Sequence, residues 1–129
     1  MRRGAPKGVE AIAAAVREIC LGLPETTGHD ESWAQNYVVR RRSFCLFLGP
    51  DSPANNSVPI LVLRSTDDDR EMYLATGQPF FEIPRNDKRV GFALGPKTDW
   101  DEVRELVTDS YSMIAPKKLI ALLDLPPAN

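Results

Sequence analysis

The sequence SWAQNYVVRRRSFCLFL, residues 32–48, contains two β-rich runs with three arginines between them. In the first run, Ser32 to Val39, aromatic and apolar residues alternate with smaller or polar ones, which is typical of a strand. The second run, Phe44 to Leu48, is apolar throughout. Because only the polar break Arg40 to Ser43 separates the runs, the pattern predicts a β-hairpin with arginines at its tip. The break has no Asn-Gly pair, so the type of turn stays open.

A helix is predicted before this hairpin. Apolar residues recur there at steps of three and four, which places them on one helical face. They are Val9, Ile12, Ala13, Val16, Ile19, Cys20 and Leu23. Gly22 and Pro24 favour the end of the helix at this point. The polar segment that follows, Glu25 to Glu31, has no apolar periodicity, and we expect it to be a loop.

Further strands and helices are predicted after the hairpin. The strands are expected at residues 58–64, 80–83 and 89–94. The helices are expected after a cap at Thr66 or Asp67, after a cap at Asp99, and from Pro116 onward. The order α-β-β-β-α-β-β-α-α predicts an α+β fold in two layers. Its antiparallel sheet would have about five strands, with the helices packed on one face.

The composition is that of one globular domain. The chain has 129 residues, of which 43% are hydrophobic and 26% are charged, so it can form a core without a disulfide or a metal ion. We expect a single domain over residues 1–129, with its core at about 9–124 and a short flexible tail at 1–6. The net charge of −2 argues against an indiscriminate polycation. It is compatible with a local basic patch.

The sequence also predicts a cellular compartment. Residues 1–6 carry positive charge without a following apolar region, so they do not form a secretory signal. Cys20 and Cys45 occur in apolar patterns and lack the spacing of zinc ligands, which predicts buried thiols in a reducing compartment. No apolar run is long enough to span a membrane. We therefore expect a cytoplasmic protein.

No residue pattern predicts catalysis. The single histidine, His29, is followed by Asp30 and Glu31, and a histidine beside carboxylates can act as a base. In a polar loop such a residue is more often simply solvated. Ser32 and Ser43 lack the context of a nucleophile, and the sequence contains no nucleotide-binding or metalloprotease motif. We expect neither enzymatic activity nor a cofactor or metal site.

Several runs along the chain resemble the MmcQ/YjbR-like family of small bacterial proteins. They are LPETT at 23–27, YVVR at 37–40, TDWDEVREL at 98–106, DSY at 109–111 and APKKL at 115–119. The similarity extends from about residue 9 to residue 123. The resemblance implies a two-layer sandwich with a strongly bent antiparallel sheet. It also implies DNA binding, because family members resemble the "double wing" DNA-binding domain of a phage transcription factor.

Two predicted turns carry the candidate contacts with nucleic acid. Arg40, Arg41 and Arg42 lie at the tip of the first hairpin, and Arg85, Lys88 and Arg89 lie in a polar turn before the last strand. Arginine side chains at hairpin tips can bind phosphates and groove edges. The leading hypothesis is a non-catalytic module that binds double-stranded DNA through these six residues. Solvated turns that protect strand edges are the simpler interpretation of the same charges.

A second hypothesis belongs to another functional class. His29, Trp33 and Tyr37 would line a cleft for a small ligand or a protein partner if a curved sheet presents its aromatic residues there. Aromatic residues in such patterns are more often part of the core. The position of the cations separates the two hypotheses. One continuous basic face favours nucleic acid, whereas scattered cations beside an aromatic cleft favour a ligand.

Overall fold

The computed structural model describes residues 8–31, 34–49 and 58–123, which form four helices and six strands. The helices are α1 (Val9–Leu21), α2 (Asp67–Thr76), α3 (Trp100–Ser112) and α4 (Lys117–Leu123). The strands are β1 (Thr26–Glu31), β2 (Ala34–Val39), β3 (Arg42–Leu48), β4 (Ile60–Arg64), β5 (Phe80–Ile83) and β6 (Asn86–Ala93). All neighbouring strands are antiparallel, in the order β1-β2-β3-β4-β6-β5. None of the described helices has the length and apolar character of a membrane span.

The α+β architecture and the first hairpin are confirmed. The helices pack on one side of the sheet, and β2 pairs with β3 on either side of the arginine break. Helix α1 ends at Gly22 as expected. Thr66 caps α2 by accepting a hydrogen bond from the Asp69 N–H, and the Asp99 carboxylate caps α3 in the same manner. These boundaries follow from local chemistry, which is why the sequence alone predicts them.

The sheet has six strands rather than five because the polar segment before the hairpin is a strand and not a loop. Strand β1 pairs with β2 along its whole length, from Thr26↔Val39 to Glu31↔Ala34. Five of its six residues are exposed, so it has no apolar alternation by which it could be recognised. It lies at the edge of the sheet, where polar and acidic side chains hinder pairing with other chains.

The core lies between the helices and one face of the sheet. Cys45, Leu63 and Val90 form a row across this face, since they are successive cross-strand partners in β3, β4 and β6. Tyr111 of α3 packs edge-to-face on Phe44, with ring centroids 5.3 Å apart. Such aromatic contacts add to the burial of apolar area that holds the two layers together.

Two free thiols meet inside this core. Cys20 of α1 and Cys45 of β3 are both 0% exposed. A hydrogen bond with Cys45 is the main cause that raises the pKa of Cys20, and burial raises it further. The Cys20 thiol therefore stays protonated. The contact between the two thiols connects the first helix to the centre of the sheet.

A buried serine of α3 joins the helical layer to the sheet. The last pair between β3 and β4 is Cys45↔Leu63, beside a bulge in β3. Beyond that pair, the Ser110 hydroxyl accepts a hydrogen bond from the backbone N–H of Arg64 at 2.9 Å and donates one to the carbonyl of Phe44. One hydroxyl thus satisfies two main-chain groups that would otherwise lack a partner.

The first hairpin turns through left-handed arginines. Arg40 has a φ of 50° and Arg41 a φ of 68°, and positive φ at both central residues is the signature of a type I′ turn. This conformation matches the twist of the flanking strands, but it costs a non-glycine residue roughly 1–2 kcal/mol. The sequence left the turn type open because Asn and Gly, which usually mark such turns, are absent.

The second hairpin is tighter than predicted. Its turn consists of Pro84 and Arg85, the latter with a φ of 64°. Strand β6 begins at Asn86, three residues before the predicted start at residue 89, so Lys88 and Arg89 lie within the strand and not in the polar turn before it. The first half of β6 could not be recognised as a strand from the sequence. Three of its first four residues are charged, so the segment has no apolar alternation.

Candidate nucleic-acid interface

Two arginines lie opposite each other on the sheet face that points away from the helices. Arg64 of β4 and Arg89 of β6 are direct cross-strand partners, next to the core pair Leu63↔Val90. Since side chains alternate between the two faces, the pair that follows a core pair points away from the core. The Cβ atoms of such partners are about 5 Å apart, and like charges in this position destabilise the sheet.

A third arginine lies close to this pair. Burial lowers the pKa of Arg64, and the neighbouring charges of Arg89 and Arg42 lower it further. The Nε of Arg64 donates to the carbonyl of Ser43 at 2.7 Å, which fixes the guanidinium beside the start of β3. Within residues 8–31, 34–49 and 58–123, no carboxylate forms an ion pair with any of the three. We refer to Arg42, Arg64 and Arg89 as the arginine cluster.

Arg40, a predicted phosphate contact, is bound to a carboxylate instead. Its guanidinium donates to both oxygens of Glu25, at 2.8 and 3.3 Å. The hydrogen bond from Arg40 lowers the pKa of Glu25. Arg40 therefore anchors the hairpin tip to the segment between α1 and β1. The adjacent Arg41 is exposed and forms no ion pair with a described residue.

The other predicted turn is less uniform than expected. Arg85 is exposed at the second hairpin tip, whereas the Lys88 Nζ lies 3.5 Å from the Asp67 carboxylate. Both partners of that ion pair are highly exposed, so it contributes little to stability. Of the six predicted cations, Arg42 and Arg89 join the arginine cluster, two face carboxylates, and two lie at separate hairpin tips.

Two of the predicted ligand-cleft residues, His29 and Tyr37, lie on opposite faces of the sheet. His29 lies exposed on the edge strand, with its Nε2 3.1 Å from the Thr27 hydroxyl. Tyr37 is 1% exposed and belongs to the core, where burial is the main cause that raises its pKa to about 12. His29 pairs with Asn36, so it lies on the face opposite to Tyr37. Tyr37 is a core residue, and Trp33 lies outside the described residues.

A cavity of about 970 Å³ lies elsewhere, between β5, β6 and the residues that precede α3. Its apolar wall consists of Val58, Ile60, Pro79, Phe80, Phe81, Phe92, Ala93 and Leu94, and its polar groups include Gln78, Lys97, Thr98, Asp99 and Glu102. An apolar wall with a few polar groups is typical of small-molecule sites, and the volume lies in their range.

A smaller cavity of about 300 Å³ lies between α2 and α3, beside the end of β4. We refer to it as the acidic cavity, after its two carboxylates, Asp69 and Asp109. Its other polar lining residues are Arg64, Ser65, Thr66, Tyr73 and Ser112. Burial raises the pKa of Asp109, and the charge of Asp69 raises it further. The described part of the chain contains no group of three or more metal-binding side chains, here or elsewhere.

Sequence reasoning missed Arg64 as a member of the interface. The residue ends an otherwise apolar strand, ILVLR at 60–64. A single charge in this position is ordinarily interpreted as the end of the strand and not as part of a binding site. Its role depends on the pairing of β4 with β6, which are separated along the chain by α2 and β5. The sequence signal that could have revealed the interface is that β4 and β6 each carry an arginine next to an apolar run.

Comparisons with known proteins address the family and the fold. The model of the YjbR family matches residues 21–113. A Deinococcus radiodurans protein with a DUF419 domain has a similar structure, with a TM-score of 0.65 at 18% identity over 96% of this chain and 93% of that one. A Pseudomonas syringae protein matches with a TM-score of 0.55 at 11% identity, over 70% of this chain and 87% of that one. No protein of curated function matches significantly.

Proposed function

The chain belongs to the YjbR family, and from this membership together with the arginine cluster we propose that it binds double-stranded DNA without catalysing a reaction. Arg42, Arg64 and Arg89 contact phosphate groups in this proposal. Arg41 and Arg85, at the two hairpin tips, reach phosphates farther along the duplex. Such contacts position a protein on DNA and carry no sequence information themselves.

The observation that carries this proposal is the facing pair Arg64↔Arg89. Two cations in direct cross-strand positions destabilise the free protein, and Arg42 adds a third charge to the same field. A phosphate between the guanidinium groups converts this repulsion into attraction, because each guanidinium can donate two parallel hydrogen bonds to it. The local charge therefore favours an anionic partner although the whole chain has a net charge of −2.

The test is fluorescence anisotropy of a labelled duplex over a series of salt concentrations. The triple variant Arg42→Gln, Arg64→Gln and Arg89→Gln is expected to lose most of its affinity. Its logarithmic salt dependence should be shallower by about 2.7, since each of the three phosphate contacts contributes about 0.9 to the slope on B-DNA. Single-stranded oligonucleotides of the same length show whether the duplex is the preferred partner.

A matched control separates local contacts from net charge. The variant Lys97→Gln, Arg104→Gln and Lys117→Gln removes the same number of charges from exposed positions outside the sheet. It should keep its affinity apart from a small general electrostatic loss. Equal losses in both triple variants would refute the role of the arginine cluster, as would the absence of duplex binding at low salt. Urea unfolding of both variants verifies that each is folded.

A small-molecule function is the second candidate, and the 970 Å³ cavity is the observation that favours it. In this alternative an apolar ligand contacts Phe81 and Phe92, and not the predicted cleft at His29. The variant Ala93→Trp places a large side chain in the cavity wall and should abolish the fluorescence of a bound apolar dye. Dye fluorescence that is unchanged in this variant would count against the alternative.

A further inference from the structure

The acidic cavity combines an apolar interior with carboxylates. Its apolar walls come from Leu63, Val90, Leu106 and Met113, which belong to β4, β6, α3 and the residue after α3. Asp69 of α2 and Asp109 of α3 are both exposed beside the cavity. Two helices and the sheet therefore place a pair of negative charges next to an apolar cavity. Such a site suits a ligand with a charged end and an apolar body.

A buried hydroxyl in the cavity wall lacks a partner. Ser65 is 7% exposed, and its Oγ forms no hydrogen bond with any described residue. Such groups are rare, because a buried hydroxyl without a hydrogen bond destabilises the fold. Ser65 directly follows β4, and its own N–H is occupied by the Lys88 carbonyl. The free Oγ is thus an acceptor that a ligand N–H group can satisfy.

The charge around the cavity selects the sign of the ligand. Burial is the main cause that raises the pKa of Tyr73. Four nearby negative charges raise it further, those of Asp69, Asp109, Glu102 and Glu105. Arg64 also lines the cavity, but its Nε donates to the carbonyl of Ser43, and the Nε of the neighbouring Arg70 donates to the carbonyl of Arg89. No described cation forms an ion pair with Asp69 or Asp109. The two carboxylates without an ion-pair partner therefore favour a cation as the ligand.

We propose that the acidic cavity binds a small organic cation, a primary ammonium group carried on an apolar body. Asp69 and Asp109 neutralise the ammonium, Ser65 Oγ accepts one of its N–H groups, and the apolar walls contact the hydrocarbon part. A bare metal ion is a poor alternative, because the cavity offers fewer than three metal-binding side chains in the described chain. The volume of about 300 Å³ corresponds to about ten water molecules at about 30 Å³ each, which is room for a small ligand.

The experiment compares three ligands of nearly equal size and different charge. Benzylamine is cationic, benzyl alcohol is neutral and benzoate is anionic at neutral pH. Each is titrated to millimolar concentration into the isotope-labelled protein, and the backbone amide signals of Ser65, Asp69 and Asp109 are followed by NMR. We expect saturable shifts at these positions with benzylamine alone. Equal shifts with benzyl alcohol, or no saturable shift with benzylamine, would overturn the proposal.

Variants locate the ligand within the cavity. Ser65→Ala should weaken benzylamine binding by about three- to tenfold, the range that one hydrogen bond supplies. Asp69→Asn combined with Asp109→Asn should abolish the preference for benzylamine over benzyl alcohol. Asp68→Asn is the matched control, since Asp68 precedes Asp69 in α2 but does not line the cavity. Binding that is unaffected by Ser65→Ala and by the double variant, or that Asp68→Asn weakens equally, contradicts the assignment. The proposal does not depend on DNA binding, because the ligand is held by Ser65, Asp69 and Asp109, although Arg64 of the arginine cluster also lines the cavity.

Discussion

Replacing Ser110 with alanine tests the link between the helical layer and the sheet. The substitution removes the hydroxyl that accepts from the Arg64 N–H and donates to the Phe44 carbonyl. It leaves the volume of the side chain nearly unchanged, so packing contributes little to the expected effect. What remains is the loss of two hydrogen bonds to main-chain groups of adjacent strands.

The magnitude follows from the burial of these groups. A buried polar group that loses its partner costs about 1–3 kcal/mol. Phe44 is 0% exposed, so its carbonyl should carry the full cost, whereas Arg64 is only partly buried and water can replace part of its lost bond. Together we expect a loss of about 2–4 kcal/mol. That is a large fraction of the 5–15 kcal/mol typical of the free energy of unfolding.

Urea unfolding followed by tryptophan fluorescence measures this loss as a shift in the midpoint at constant slope. Ser112→Ala is the control on the same helix, because the Ser112 hydroxyl bonds the carbonyl of Thr108 one turn earlier and does not reach the sheet. We expect the control to change stability by less than about 0.5 kcal/mol. If Ser110→Ala were as mild as the control, the inferred role of the hydroxyl would be wrong.

Two further predictions concern local geometry and titration. A Cβ on Gly91 would lie 2.4 Å from the Phe81 ring, so Gly91→Ala should destabilise the fold by about 1–3 kcal/mol in urea unfolding. Gly95→Ala is the control, because no atom lies within 4 Å of its new Cβ, and it should be nearly neutral. Because Arg40 lowers the pKa of Glu25, the stabilisation from this pair is complete above the unfolded-state pKa of Glu25 and is lost as the pH falls through the lowered pKa. An NMR titration should therefore show the Glu25 pKa below its usual range in the native protein and raised towards it in Arg40→Gln; an unchanged value would refute the contribution of Arg40.

The parts of the fold that depend on local chemistry could be predicted from the sequence, and those that depend on long-range pairing could not. The caps at Thr66 and Asp99 are set within a few residues, and the first hairpin by two adjacent runs. Strand β1 forms because β2 pairs with it, and its exposed side chains leave no periodic trace. The topology also has β6 between β4 and β5, an exchange that the order of elements does not reveal.

The candidate sites show the same division. Arg42 and Arg89 could be selected as charges near predicted turns, but Arg64 joins them only through the pairing of β4 with β6. The sequence does not show which face of the sheet Tyr37 lies on. The pairing of β1 with β2 and the packing of the core place it on the face that contacts the helices. Ser65 and Asp109 belong to different elements, and neither has a motif, so the acidic cavity had no signal in the sequence.

The thiol pair in the core has a consequence for measuring the motions of this protein. Cys20 and Cys45 are both inaccessible in the native state, and hydrogen bonding and burial keep Cys20 protonated. A thiol reagent therefore reacts with the native chain only after α1 separates from the sheet or the whole domain opens. The rate of labelling, followed at increasing urea concentrations, reports how often this helix detaches. Comparison with the rate of global unfolding would show whether α1 opens alone or together with the sheet.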